Sequence, residues 1–151
     1  MSFLEEQKES LLERFALALP ELYENLKKSC GEEEGKKIFK KVTEEKFKKS
    51  YEKIKGLTIE QMMAGEEKSA NIFEWDLRVE EKTEDDEKVW YEYLDNCPHL
   101  KATRKYGMPS PCVPVCYNDF ELLEKYGILK AEETAHILKG ADMCCFRITK
   151  K

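Results

Sequence analysis

Residues 71–95, NIFEWDLRVEEKTEDDEKVWYEYLD, are the most informative about the fold, because the spacing of apolar side chains changes there from helical to strand-like. Apolar and charged residues alternate one by one in the first half, which is typical of a half-buried strand. The alternating apolar residues are Phe73, Trp75, Leu77 and Val79. The acidic run 84–87 forms a polar turn, after which Val89, Tyr91 and Tyr93 alternate again. The stretch therefore predicts an antiparallel hairpin over residues 71–95.

Residues 2–56 have apolar side chains at helical spacing and predict two helices. The first helix is expected to stop at Cys30-Gly31, since glycine is the residue that most often follows a helix. Pro20 is expected to break or restart that helix near residue 19, because proline has no backbone N–H to donate.

A third, shorter helix is predicted between these two helices and the hairpin. Gly56 is expected to end the second helix in a left-handed conformation. Thr58 and Gln61 then have the spacing of a capping box, in which each side chain bonds the other residue's backbone. Gly65 is expected to close this third helix.

The chain after the hairpin predicts two more helices and two more strands. Residues 97–106 and a segment within 113–126 have helical spacing, despite Pro114 near the start of the latter. Residues 130–138 and 143–149 have the alternation of strands.

The elements together predict an α+β protein. N-terminal helices pack on an antiparallel sheet of about four strands, with helices inserted between the two hairpins. A length of 151 residues suits one domain over residues 1–151. Within it we expect a helical layer over 1–66 and an α+β part containing most cysteines over 70–151.

Composition narrows the classes of partner. The net charge is −5, and the basic runs are interleaved with acidic ones, so nucleic-acid binding has no electrostatic support. No apolar run approaches the ~20 residues of a membrane span. We therefore predict a cytoplasmic protein with a small-molecule partner, and homo-oligomerisation stays open.

Five of the six cysteines and both histidines lie between Cys97 and Arg147. Cytoplasmic cysteines stay largely reduced, so these residues are expected to pack in the core, ligate a metal or act as thiolates. Cys112 and Cys116 form C-x3-C rather than the C-x2-C that is common in structural zinc sites. His136 lies in a strand-like stretch and is more simply a packed or surface residue than a ligand.

Three further observations bear on chemistry. Asp119 follows Cys116 by three residues, so a helix would place the carboxylate on the same side as the sulfur, where it could act as a base. Cys144 and Cys145 are adjacent on a predicted strand, and their side chains should point to opposite faces. The chain has no Gly-rich phosphate loop, no G-x-S-x-G and no H-E-x-x-H, which counts against the classes of enzyme that use them.

The order of motifs resembles a known family. A strand runs into Cys97, a G-x-P loop follows at residues 107–109, C-Y-N-D occupies 116–119, and G-A-D-M-C-C-F-R closes the segment at 140–147. This order resembles that of L-2-amino-thiazoline-4-carboxylic acid hydrolase-like proteins over roughly residues 70–150. The matching residues are Cys97, Cys116, Asp119, Gly140, Cys144, Phe146 and Arg147. Cys145 stands where the family usually has aspartate.

The resemblance implies a hydrolase that opens a small cyclic amidine or thiazoline carboxylate. Cys116, Asp119 and Cys97 are the candidate catalytic residues, and Arg147 is the candidate partner of the substrate carboxylate. A divalent ion, zinc or manganese, is the candidate cofactor. Its predicted ligands are Cys97, Cys116 and Cys144, with His99 and Cys112 as less favoured ones.

Two other interpretations stay open. The motif is distantly similar to vinyl-4-reductase-type ligand-binding domains, so the chain could be a non-catalytic sensor that holds a small ligand or a metal. The aromatic side chains of residues 71–95 suit the wall of such a cavity, and they suit an ordinary core equally well. The cysteines could also hold zinc or an iron–sulfur cluster for structural or redox purposes.

Overall fold

The computed structural model describes residues 1–151, which form two compact units. The first unit comprises Met1–Lys49 and Pro98–Asp119, and the second comprises Ser50–Cys97 and Phe120–Lys151. Each unit is therefore built from two separate stretches of the chain. None of the helices combines the length and the apolar character that crossing a membrane requires.

Five α-helices and four β-strands confirm the predicted α+β class. The helices are α1 (Phe3–Cys30), α2 (Glu32–Ile54), α3 (Ile59–Ile72), α4 (Pro98–Lys105) and α5 (Asn118–Lys125). The strands are β1 (Leu77–Glu84), β2 (Glu87–Leu94), β3 (Leu129–Ala135) and β4 (Cys144–Lys150). A π-helical turn (Val113–Tyr117) precedes α5, and a 3-10 turn (Ile137–Lys139) follows β3.

In the first unit, α1 continues without interruption through Pro20, so the predicted break near residue 19 is wrong. Proline at position 20 cannot donate to the carbonyl of Ala16, four residues earlier. His99 on α4 supplies the missing donor, because its Nδ1 lies 2.6 Å from the Ala16 oxygen. Ala16 and His99 are both buried. The helix therefore continues past Pro20 without leaving an unsatisfied carbonyl in the core.

The junction between α1 and α2 is confirmed at Gly31, which adopts a positive φ of 89°. Gly35, in the first turn of α2, lies against the last turns of α1. A Cβ at position 35 would be 2.5 Å from the Lys27 nitrogen and 2.6 Å from the Leu26 carbonyl carbon. The two helices can approach this closely only because position 35 has no side chain.

In the second unit, the strands form one antiparallel sheet in the order β1-β2-β4-β3. The hairpin is confirmed, and its turn is the acidic stretch, with Asp85 and Asp86 both at positive φ, as the type I′ two-residue hairpin turn requires. The predicted start of the first strand is wrong, since α3 runs through Gly65 to Ile72 and β1 begins at Leu77.

Helix α3 covers the outer edge of β1, which would otherwise offer unpaired backbone groups to other chains. The Asn71 side chain accepts a hydrogen bond from the Leu77 N–H at 2.8 Å and donates to the Leu77 carbonyl at 3.0 Å. The Glu67 carboxylate accepts from the Val79 N–H at 2.8 Å. These side chains replace a neighbouring strand.

One face of the sheet carries the apolar core of the second unit. It presents the buried residues Leu77, Trp90, Leu94, Cys144, Phe146, Ile148 and Leu129. Tyr91 and Tyr93 lie on the opposite face, where they stack at 6.2 Å between ring centres beneath the Lys82 ammonium. The core face of β2 is therefore that of Trp90 and Leu94, not that of the two tyrosines.

Several boundaries after the hairpin agree with the predictions. A helix occupies most of 97–106, and helical structure fills most of 113–126 with Pro114 in its first turn. The last two strands are present, but β3 ends at Ala135, so His136 and Ile137 lie outside it. Gly56 does not adopt a positive φ, and the prediction of a left-handed end to α2 at that residue is wrong.

Candidate functional site

The six cysteines divide between the two units, and none forms a disulfide. The first unit contains Cys112, which is buried, and Cys116, which is half-buried. The second unit contains half-buried Cys97 and the buried pair Cys144 and Cys145. The sixth, Cys30, is exposed at the end of α1.

The structure gathers no group of three or more His, Cys, Asp or Glu side chains that could hold a metal ion. The predicted zinc or manganese site of Cys97, Cys116 and Cys144 therefore gains no support from the arrangement of the donors. The same holds for the less favoured ligands His99 and Cys112.

Cys116 lies inside the π-helical turn. This turn is closed by a hydrogen bond of 2.9 Å from the Tyr117 N–H to the Cys112 carbonyl, and by one from the Asn118 N–H to the Val113 carbonyl. Pro114 sits in its first turn and is fully buried. Single π-turns are rare, and they occur often at functional sites because they redirect one side chain out of helical register. The turn gives Cys116 a backbone setting unlike that of the other cysteines.

The residues after Cys116 begin α5. Asp119 is exposed in the first turn of α5, which continues directly from the π-turn. Asn118 is buried, and its Nδ2 donates to the Thr43 hydroxyl on α2 at 3.1 Å. The C-Y-N-D motif thus presents a half-buried thiol and an exposed carboxylate on either side of a buried, hydrogen-bonded amide.

His99 has a role in the core of the first unit. Its ring is 4% exposed, and Nδ1 must carry a proton because a carbonyl oxygen can only accept. Burial lowers the pKa of His99, and the bond to the Ala16 carbonyl opposes that effect. The imidazole is therefore kept neutral, with Nδ1 committed to α1.

In the second unit, His136 lies between β3 and the 3-10 turn, and Cys144 is the first residue of β4. The Cys144 sulfur accepts the Ile137 N–H at 3.4 Å. His136 Nδ1 accepts the Leu138 N–H at 3.0 Å, which leaves the ring proton on Nε2 in the neutral form. Both side chains are buried; the bond to Cys144 joins the turn to β4, whereas the bond of His136 closes the turn on itself.

Cys144 and Cys145 pair with Leu94 and Tyr93, respectively, on β2. Since residues directly opposite each other share a face, Cys144 lies on the core face and Cys145 on the face of the tyrosines. Both thiols are 5% exposed.

Arg147 is paired within the sheet. Its Nε donates to Glu84 at 2.7 Å and its Nη1 to Glu132 at 3.4 Å. The Tyr91 hydroxyl also donates to Glu84, and this bond, with Arg147 as the second cause, lowers the pKa of the Glu84 carboxyl. The same contact raises the pKa of Tyr91. A substrate carboxylate at Arg147 would have to compete with two protein carboxylates.

Glu92 is a residue that the sequence analysis did not single out. It lies on the core face of β2, opposite Val79 and Phe146, and is 7% exposed. The sequence carries a signal for this burial, because Glu92 alternates with the apolar residues Trp90 and Leu94 and must lie on the same face of the strand. A carboxylate buried to this extent needs a partner or a proton, since burial penalises the charged form.

Fold and local geometry define an α+β protein in which a half-buried thiol lies in a π-turn, three residues before an exposed carboxylate. The sequence pattern of the L-2-amino-thiazoline-4-carboxylic acid hydrolase family matches residues 12–148, which is most of the chain. The chain belongs to that family. Comparison with curated proteins and with solved structures gave no match.

Proposed function

We propose that this protein is a hydrolase that opens the ring of a small cyclic amidine carboxylate, of the thiazoline type for which its family is named. The observation that carries the proposal is the setting of Cys116 in the matched segment. This thiol is half-buried and lies in a hydrogen-bonded π-turn, with Asp119 three residues later at the start of α5.

The reaction needs a nucleophile at the amidine carbon and a leaving group that can depart as a thiol. In an aminothiazoline carboxylate, water adds to that carbon, the carbon–sulfur bond of the ring breaks, and the product is a carbamoyl-cysteine. The atoms of one water account for the whole change in composition.

Cys116 is suited to a covalent version of this reaction. Its thiolate attacks the amidine carbon, the ring carbon–sulfur bond breaks, and the substrate sulfur leaves as a thiol after gaining a proton. Water then attacks the enzyme-bound isothiourea carbon, which releases the carbamoyl product and restores the Cys116 thiol. Each step exchanges one bond to the same carbon and needs no oxidant or reductant.

Asp119 is the candidate base. An exposed carboxylate in the first turn of α5 can accept a proton from the attacking water or relay one from the thiol. Cys97 lies in the other compact unit and is assigned no step, and it stays a candidate only. Arg147 also lies in that unit, where it is paired with Glu84 and Glu132, and it too is assigned no step and stays a candidate only.

The test is turnover of 2-aminothiazoline-4-carboxylate, followed by liquid chromatography and mass spectrometry of a product one water heavier than the substrate. Cys116→Ala should abolish turnover, and Asp119→Asn should lower it by about 10²–10⁴-fold if the carboxylate is the base. Cys30→Ala is the matched control, because that thiol is exposed at the end of α1.

Two results would contradict the proposal. Turnover that survives in Cys116→Ala would remove this thiol from the reaction. Saturable binding of 2-aminothiazoline-4-carboxylate without turnover would favour the alternative, a ligand-binding sensor. Elemental analysis of the purified protein in parallel tests the metal prediction independently of activity.

A further inference from the structure

Two buried side chains in the first unit are joined by a hydrogen bond that links distant parts of the sequence. Thr43 on α2 is fully buried and Asn118 is 6% exposed, and the Asn118 Nδ2 donates to the Thr43 Oγ1 at 3.1 Å. The residues are 75 positions apart in the chain. A polar pair so deeply buried is retained only where its hydrogen bonds are made.

The orientation of Thr43 is set by its own helix. Its hydroxyl donates to the Phe39 carbonyl at 2.9 Å, with the Lys40 carbonyl at 3.1 Å as a second acceptor. A threonine hydroxyl has one proton and two lone pairs, so a proton committed to α2 leaves the lone pairs for Asn118. The Asn118 amide therefore meets an acceptor whose position does not depend on the π-turn.

Asn118 is also part of the π-turn itself. Its backbone N–H bonds to the carbonyls of Val113 and Val115, so the residue closes the turn with its backbone and anchors it with its side chain. Cys116 lies two residues before this anchor and two residues after the buried Pro114. The thiol thus lies between two buried residues, one of which is hydrogen-bonded through both its backbone and its side chain.

We infer that Asn118 and Thr43 are positioning residues for Cys116: their hydrogen bond fixes the π-turn and sets the exposure and reactivity of that thiol. The inference rests on the proposed function in one respect only, namely that Cys116 is the reactive group. Neither Asn118 nor Thr43 touches the substrate in this scheme.

The same unit provides a control for the effect of losing a buried hydroxyl. Thr103 on α4 is 1% exposed, and its hydroxyl donates to the His99 carbonyl at 2.7 Å, four residues earlier. Thr103→Val therefore removes the same kind of hydrogen bond as Thr43→Val, from a threonine hydroxyl to a carbonyl of its own helix. The Thr103 hydroxyl makes its hydrogen bonds within α4 and none to the π-turn.

The experiment measures alkylation of Cys116 in the intact protein by iodoacetamide, as a function of pH, with modification read on the Cys116 peptide by mass spectrometry. Hydrogen exchange of the Tyr117 and Asn118 amides is followed in parallel. The variants are Thr43→Val, Asn118→Leu, the conservative Thr43→Ser, and Thr103→Val.

Loss of the bond should raise the exchange of these two amides by about fivefold, as expected for one buried hydrogen bond. Thr43→Val and Asn118→Leu should change both the rate and the pH midpoint of Cys116 alkylation, whereas Thr43→Ser and Thr103→Val should follow the wild type. A Thr43→Val protein whose Cys116 profile matches that of Thr103→Val would overturn the inference, even if Asn118→Leu fails to fold.

Failure of the inference and failure of the proposed function give different results. Alkylation that responds as expected in a protein with no hydrolase activity would keep the positioning role and remove the hydrolase. Hydrolysis that depends on Cys116, together with Cys116 alkylation that Thr43→Val does not change, would keep the hydrolase and remove the positioning role.

Discussion

His99 Nδ1 donates a hydrogen bond of 2.6 Å to the carbonyl of Ala16, the carbonyl that Pro20 leaves without a donor inside α1. The two residues are 83 positions apart. A helix interior that tolerates proline needs some other group to satisfy the carbonyl four residues earlier, and here an imidazole from α4 supplies it. The continuity of α1 is thus a tertiary effect.

This relationship predicts a positive coupling between positions 20 and 99. His99→Ala should destabilise the protein by roughly 1–3 kcal/mol, because it leaves a buried carbonyl unsatisfied as well as a void. In a Pro20→Ala background the backbone N–H of residue 20 can serve that carbonyl, so the same substitution should cost less. Urea denaturation of the wild type, the two single variants and the double variant gives their free energies of unfolding. If His99→Ala costs the same free energy in both backgrounds, the two positions are not coupled and the relationship is contradicted.

The lowered pKa of His99 predicts a loss of stability in acid. The unfolded chain binds a proton at a pKa near 6.5, whereas the folded chain resists protonation to lower pH because the ring is buried. Above pH 6.5 the titration of His99 should therefore not affect the free energy of unfolding. As the pH falls below 6.5 towards the pKa of His99 in the folded protein, the free energy of unfolding should decrease. His99→Asn, whose Nδ2 can replace the donor without titrating, should remove this component when unfolding free energies are compared across that range.

Two glycines inside helices should respond in opposite directions to alanine. Gly35→Ala should destabilise by roughly 1–3 kcal/mol, since the new Cβ would meet the backbone of α1 at 2.5 Å. Gly65→Ala in α3 should stabilise by about 0.5–1 kcal/mol, because no atom lies within 4 Å of the added methyl and alanine is the better helix former. Thermal unfolding of both variants measures these changes in stability. A Gly35→Ala protein as stable as the wild type would mean that α1 and α2 can move apart with little loss of free energy.

The edge of β1 should depend on Asn71. Asn71→Ala removes both hydrogen bonds to the Leu77 backbone and should cost about 1–2 kcal/mol, with faster exchange of the Leu77 amide. Asn96→Ala is the control, since that side chain donates a single exposed bond to the Glu74 carbonyl and should change little. Equal effects of the two substitutions would show that α3 does not protect this edge.

Much of the local structure could be predicted because its causes are local. The capping box of Thr58 and Gln61 is present, as is the turn of Asp85 and Asp86 between alternating strands. Each depends on side chains within a few residues of the backbone they satisfy. The motif order from Cys97 to Arg147 likewise placed the chain in its family, which the match over residues 12–148 shows.

The failed predictions concern features that the spacing of side chains along the chain does not decide. Alternation identified β2 but not its buried face, because apolar and aromatic side chains occur on both faces and only packing selects that of Trp90 and Leu94. Gly65 does not end α3, since the last turns of that helix continue to Asn71 and there bond β1.

The candidate site shows the same division. The helical segment that carries Cys116 and, three residues later, Asp119 can be predicted from the residues alone, because near neighbours and local hydrogen bonds form it. The burial of Asn118 against Thr43, and the bond of His99 to the Ala16 carbonyl of α1, follow from packing between distant parts of the chain. Those contacts join residues 75 and 83 positions apart, and no local pattern encodes which distant group will satisfy a buried donor or acceptor.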